Sequence, residues 1–101
     1  MPKEPNYDRL PEHIRQGVRS YIEDGAPPGS FLQAVICNDL TESFARADDI
    51  NITRMFDIVS FFYNEAPLTC WKSEKNMVAW IKMHANRRQA ANEAIQRNSG
   101  G

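Results

Sequence analysis

The sequence predicts an all-α fold: a compact single domain of about five helices around a central hydrophobic helix, with an extended C-terminal helical arm. Three observations carry this expectation. Apolar residues recur at three- and four-residue spacings, no segment sustains the alternation of a half-buried strand, and Gly, Pro, Asn and Asp punctuate the helical runs. The 101 residues, 42% of them apolar and 25% charged, suffice for one core and leave no room for a second. No internal repeat or low-complexity tract interrupts them.

The first helix is expected from Leu10-Pro11, because proline fits the first helical position, where its missing N–H had no partner. Ile14, Val18, Tyr21 and Ile22 make one stripe about 100° wide, with Arg15, Gln16, Arg19 and Glu23 facing away. Gly25 supplies the stop, since glycine adopts the left-handed conformation that ends many helices. After the rigid turn Ala26-Pro27-Pro28-Gly29, Ser30 is placed to cap a short, mostly buried helix bearing Phe31, Leu32, Val35 and Ile36. Asn38-Asp39 breaks the pattern and opens a third helix, Leu40 to Ala47, with Leu40, Phe44 and Ala47 expected on its inner side. Asp48-Asp49 ends that helix and starts the next.

The central helix is expected over about Asn51 to Glu65. Ile52, Met55, Phe56, Ile58, Val59, Phe62 and Tyr63 cover roughly 160° of its circumference, and Phe61 widens the arc to about 220°. Such a helix should be wrapped by the others, leaving Thr53, Asp57, Ser60 and Asn64 as its solvent face. Pro67 closes it, a loop through Leu68, Cys70 and Trp71 follows, and Ser73 is placed to cap the last helix. There Met77, Val78, Ile81 and Ala85 are expected on the core, with Trp80 and His84 at its edge. After Ala85, Arg88 falls on the formerly apolar face, so residues 86–101 read as a basic, partly helical arm and tail. Residues 1–9 read as a flexible N-terminal segment and 10–85 as the helical domain.

The residues disfavour most chemistries. His13 and His84 are far apart, no HxxxH or HExxH spacing exists, and Cys37 and Cys70 cannot complete a zinc site alone; no metal is expected. The two cysteines read as reduced, buried small hydrophobes. No GxGxxG or GxxxxGK[ST] motif offers a phosphate cradle, so no nucleotide cofactor is expected, and nothing marks a nucleophile beside a base and an oxyanion hole. Asp48-Asp49 reads as a helix cap rather than an acid and base pair, and no catalytic residue is assigned. Trp71 and Trp80 read as core, with interface anchoring the alternative, and Tyr7 as the exposed aromatic. The opening Met1-Pro2-Lys3-Glu4-Pro5 lacks the apolar core of a signal peptide, and no run approaches the roughly 20 apolar residues of a membrane span. A cytoplasmic setting is expected.

Charge is distributed unevenly although the net is only -1. Residues 1–38 carry four basic and five acidic groups, 39–71 two and six, and 72–101 six and two. Lys82, Arg87, Arg88 and Arg97 could meet phosphates or an acidic protein face. Alternatively the basic last helix complements the acidic segment Asp39 to Glu65 within the fold.

The runs Leu10-Pro11-Glu12-His13-Ile14, Tyr21-Ile22-Glu23-Asp24-Gly25-Ala26-Pro27-Pro28-Gly29-Ser30-Phe31-Leu32, Ala34-Val35, Asn38-Asp39-Leu40 and Ala47-Asp48-Asp49 resemble a family of small proteins encoded by bacteriophages, prophages and plasmids. Asn64-Glu65-Ala66-Pro67, Cys70-Trp71 and Trp80-Ile81 extend the resemblance over residues 10 to 81. It brings no activity with it. It implies a bacterial cytoplasmic setting and an accessory role, of the kind in which small phage proteins occupy a surface of a host protein, as anti-CRISPR and anti-restriction proteins do, or regulate transcription.

The function expected is therefore non-enzymatic binding and modulation of a host protein complex. Asn38, Asp39, Asp48 and Asp49 are its acidic-side candidates; Glu42 and Asp57 would have to share their side for the patch to imitate nucleic acid. Lys82, Arg87, Arg88 and Arg97 are the basic-side candidates. The alternative is a small nucleic-acid-binding regulator that uses the last helix, helped by Asn86, Gln89, Asn92 and Gln96. A monomer or a homodimer through Ala91, Ala94 and Ile95 is compatible with either reading.

Overall fold

A computed structural model describes residues 5–99, with side chains through residue 93. Six helices follow one another: α1 (Glu12–Asp24), α2 (Ser30–Ile36), α3 (Leu40–Arg46), α4 (Asp49–Thr53), α5 (Met55–Asn64) and α6 (Glu74–Ser99). Two 3-10 turns, Tyr7–Arg9 and Leu68–Cys70, precede α1 and α6, and the described residues contain no strand. The fold is all-α, as its periodicity requires.

Pro11 takes the cap position of α1, one place earlier than expected, and the helix buries Ile14, Val18, Tyr21 and Ile22. Gly25 ends it at φ 68°, its N–H donating to the Tyr21 carbonyl at 2.9 Å. A side chain there would also collide with α6, because a Cβ on Gly25 would lie 2.4 Å from His84 Cβ. This glycine thus answers both a left-handed turn and a close helix crossing.

Helix α2 is buried nearly all round, through Phe31, Leu32, Ala34, Val35 and Ile36. Gly29 rather than Ser30 holds its cap position, and no side chain caps it. Asp39 caps α3 by accepting from Glu42 N at 3.1 Å, and Asp48 caps α4 by accepting from Asn51 N at 2.7 Å. Ser73 Oγ accepts from Asn76 N at 3.1 Å at the start of α6. These side-chain oxygens satisfy amide donors that the helices' own ladders leave free.

The core gathers α1, α2 and the inner side of α5 around Tyr21, with Cys70 and Trp71 closing one end. Tyr21 is wholly buried; its hydroxyl donates to the Cys70 carbonyl at 2.7 Å, and its own carbonyl accepts from Trp80 Nε1 at 3.0 Å. Lys72 N donates to the Ile36 carbonyl at 2.7 Å, tying the same loop to the end of α2. Met77, Trp80 and Ile81 then seat α6 against the core. From Ala85 to Glu93 every residue of α6 is exposed. The helix overshoots the domain, which explains extents of 56 × 27 × 22 Å and a radius of gyration of 15.6 Å against the roughly 13 Å of a rounded chain this long.

Several positional expectations need correction. The central helix is two helices that meet at Arg54, whose guanidinium bonds Asp57 Oδ2 and the Arg9 carbonyl, both at 2.7 Å. It is not wrapped: Met55, Ile58, Phe61 and Phe62 are buried, whereas Ile52, Phe56, Val59 and Tyr63 are exposed. Leu40 and Phe44 point outward too, because α3 packs on α2 and buries only Ser43. On α6, Val78 and Ala85 are exposed. Tyr7 is half-buried, its ring centroid 5.3 Å from that of Phe61 and beneath the Arg19 guanidinium. Residues 1–4, 100 and 101 of the expected flexible ends lie outside the described residues.

Equilibrium urea titrations of three variants check this arrangement. Phe62→Ala should cost about 3–5 kcal/mol and Val59→Ala under about 1 kcal/mol, although both sat on one apolar arc in the sequence. Gly25→Ala should cost about 2–4 kcal/mol, since the left-handed backbone and the His84 contact oppose it together.

Candidate functional site

The largest unsatisfied feature is an apolar face. Residues at spacings of four, three and four place Ile52, Phe56, Val59 and Tyr63 on one side of the α4–α5 pair. Leu40 and Phe44, four apart on α3, join them across a pocket that Leu40, Val59, Met55, Val35 and Trp71 line. Phe56 is 81% exposed, Tyr63 71% and Leu40 69%. With ordinary side-chain areas, the six residues present roughly 700 Å² of apolar surface, above the roughly 300–600 Å² of the largest patch on most monomers.

The six residues of the face are uncharged, and the nearest cation shown is Lys72, whose Nζ lies 5.6 Å from the ring centroid of the pocket-lining Trp71. Asp57, the single charged residue of α5, lies about 130° round the helix from its centre, and Glu42 and Arg46 lie on the far side of α3 from Leu40 and Phe44. Those three groups are paired in any case: Arg46 Nε bonds Glu42 Oε2 at 3.0 Å, and Arg54 Nε bonds Asp57 Oδ2 at 2.7 Å. Aromatic enrichment with charge depletion is the composition of an interface centre.

The acidic-side candidates Asn38, Asp39, Asp48 and Asp49 are all exposed, but two of them have structural work. Asp39 and Asp48 cap helices, and Asp48 also accepts from His13 Nε2 at 2.9 Å. The Asn51 amide, helped by His13, holds the Asp48 carboxyl below the usual carboxylate range. Asn38 adopts φ 63° at the turn after α2. Asp39 lines one pocket with Glu42 and Glu74, beside Arg46, while Glu42 and Asp57 are each paired with an arginine.

On α6, Lys82 and Arg87 are exposed and border the shallow groove with Ala79, Met83, Asn86 and Ala90. Four ion pairs occur among the described residues, His13–Asp48, Arg19–Glu23, Arg46–Glu42 and Arg54–Asp57, and none involves α6. The complementation of the acidic segment by the basic helix is therefore not made through direct pairs. Arg88 instead donates to the Asp24 carbonyl at the end of α1. The side chains of Arg97, Ala94, Ile95 and Gln96 lie outside the described residues.

The remaining reactive groups are subdued. Cys70 is wholly buried, and burial pushes its thiol up to about 12; burial also raises the half-buried Cys37 thiol, whose Sγ lies 3.9 Å from Met77 Sδ. Both are free. His84 packs edge-on against Trp80, and burial, then the Arg87 and Arg88 charges, lower its pKa. Among the described residues no His, Cys, Asp or Glu cluster could hold a metal, and no helix is long and apolar enough to cross a membrane.

Comparison with protein-family models, with curated proteins and with solved structures gives no match.

Sequence reasoning located the acidic caps and the basic helix but missed the apolar face, whose residues it assigned to the core. The signal was present in the arc of about 220°, wider than one neighbouring layer covers.

Two measurements follow from these environments. A thiol reagent at about pH 8 should leave Cys70 unmodified in the native chain and label both cysteines in urea. Because folding lowers the His84 pKa, the unfolded chain takes that proton first, and stability is lost as pH falls through about 6.5. Melting temperature should therefore drop between about pH 7.5 and 5.5, and His84→Gln should flatten that part of the profile.

Proposed function

We propose that the chain is a non-enzymatic protein-binding factor, an accessory protein of a phage or mobile element that docks on and modulates a host protein complex. One observation supports this most: an uncharged surface with three exposed aromatics, Phe44, Phe56 and Tyr63, in a chain whose described histidines and cysteines form no reactive constellation. Binding to protein follows from surface complementarity and needs no such constellation. The accessory role and the cytoplasmic bacterial setting come from the resemblance over residues 10 to 81, and an inhibitor of host defence is one form such a factor takes. Asn38, Asp39, Asp48 and Asp49 on the acidic side, and Arg87 and Arg88 on α6, are the candidates for polar contacts with a partner outside the apolar face.

A second reading, a small nucleic-acid-binding regulator, is favoured by one further observation. Lys82 and Arg87 are both exposed on α6, beside Asn86 and Gln89, and neither is in an ion pair among the described residues. Such a helix binds phosphates with an affinity that falls steeply with salt.

Affinity capture from bacterial lysate, with and without nuclease, separates the two. The protein-binding reading expects a partner that survives nuclease and is lost with Phe56→Asp, while Lys82→Ala with Arg87→Ala retains it. Capture that vanishes with nuclease and with the α6 substitutions would replace it by the nucleic-acid reading.

A further inference from the structure

Resting on that protein-binding reading, we infer that the apolar face of α3, α4 and α5 is occupied by a second copy of this chain, so that the working unit is a two-fold dimer from which two α6 helices project. The first argument is area. The roughly 700 Å² of exposed apolar surface approaches the roughly 800 Å² that each partner contributes to a standard stable interface, and the same face left wet would be costly for a chain of 101 residues.

The second argument is charge. In a two-fold contact each group meets the same surface it belongs to, so a charged patch repels itself. This face avoids that, because Glu42, Arg46 and Asp57 are turned away and internally paired.

The third argument is shape. Phe56 stands out at 81% exposure, while the pocket of about 80 Å³, lined by Leu40, Met55, Val59 and Trp71 with Asn38 and Ser43, has room for the edge of an apolar side chain. A two-fold axis lets the edge of the Phe56 ring of each copy cover the pocket of the other, so that one surface supplies both the projecting group and its recess. The arrangement leaves Lys82 and Arg87 on both copies uncovered.

Sedimentation equilibrium of the full chain from about 1 to 100 μM tests the inference. The expected mass rises from 11.6 kDa toward twice that value. Phe56→Asp should weaken association by about 100-fold or more with an unchanged far-ultraviolet dichroism spectrum, Phe56→Leu should restore most of it, and Ala91→Asp on α6 should leave it intact. A chain monomeric throughout the range, or a Phe56→Asp chain as dimeric as the parent, would overturn the inference. Its failure is distinguishable from failure of the protein-binding reading. A monomer that loses a nuclease-resistant lysate partner on Phe56→Asp removes only the second copy, whereas a monomer whose captures are insensitive to Phe56→Asp removes both.

Discussion

Tyr21 holds together the two parts of the chain that local helix formation cannot join. Its ring fills the centre of the core, its hydroxyl satisfies the Cys70 carbonyl in the loop before α6, and its carbonyl receives the Trp80 indole N–H from α6 itself. Burial raises the phenol pKa well above its ordinary value, so the hydroxyl remains a donor at any physiological pH. A buried donor with its acceptor removed costs more than an average hydrogen bond contributes, so the loop, the last helix and α1 are locked to one another. The close approach of His84 to Gly25 follows from that lock, since α6 crosses the end of α1 one turn after its Trp80 meets Tyr21.

This geometry also decides which part of the apolar sequence stays uncovered. With α6 drawn to α1 and the loop to the end of α2, and with α3 packed on α2, the outer side of α5 is left exposed among the described residues. The helix is thus apolar on two sides and has neighbours on one. Phe61 and Phe62 meet each other, Tyr7 and Trp71 in the core, while Phe56 and Tyr63 meet solvent. The apolar arc of α5 exceeds what its neighbours cover here, and the excess is the surface proposed for docking.

Much of the fold is legible in the residues themselves. The caps Asp39, Asp48 and Ser73 and the stop at Gly25 are local features with local causes, and they stand where the sequence places them. The stripe Ile14, Val18, Tyr21, Ile22 is narrow enough to face one layer, and it does. The arc of α5 is different in kind. Periodicity reports that Val59 and Phe62 are apolar and adjacent on the wheel, but only the tertiary arrangement reveals that Phe62 has neighbours and Val59 has few. The half-burial of Tyr7 is equally non-local, since it depends on Phe61 more than fifty residues away. For the candidate site, the charged positions were readable because exposure is the default for charge; the apolar face was not, because burial is the default for what composes it.

The molecule is a small helical domain with its core on one side of α5 and its proposed docking surface on the other. Its two solvent-facing features differ in what they ask of a partner: an uncharged aromatic face that seeks close packing, and a cationic helix that projects beyond the domain. Incorporation of fluorophenylalanine at the five Phe positions, read by fluorine resonance as protein concentration rises, tests the central claim most directly. The account predicts that the Phe44 and Phe56 resonances move with concentration while those of Phe31, Phe61 and Phe62 stay fixed. Five stationary resonances, or movement confined to the buried three, would contradict it.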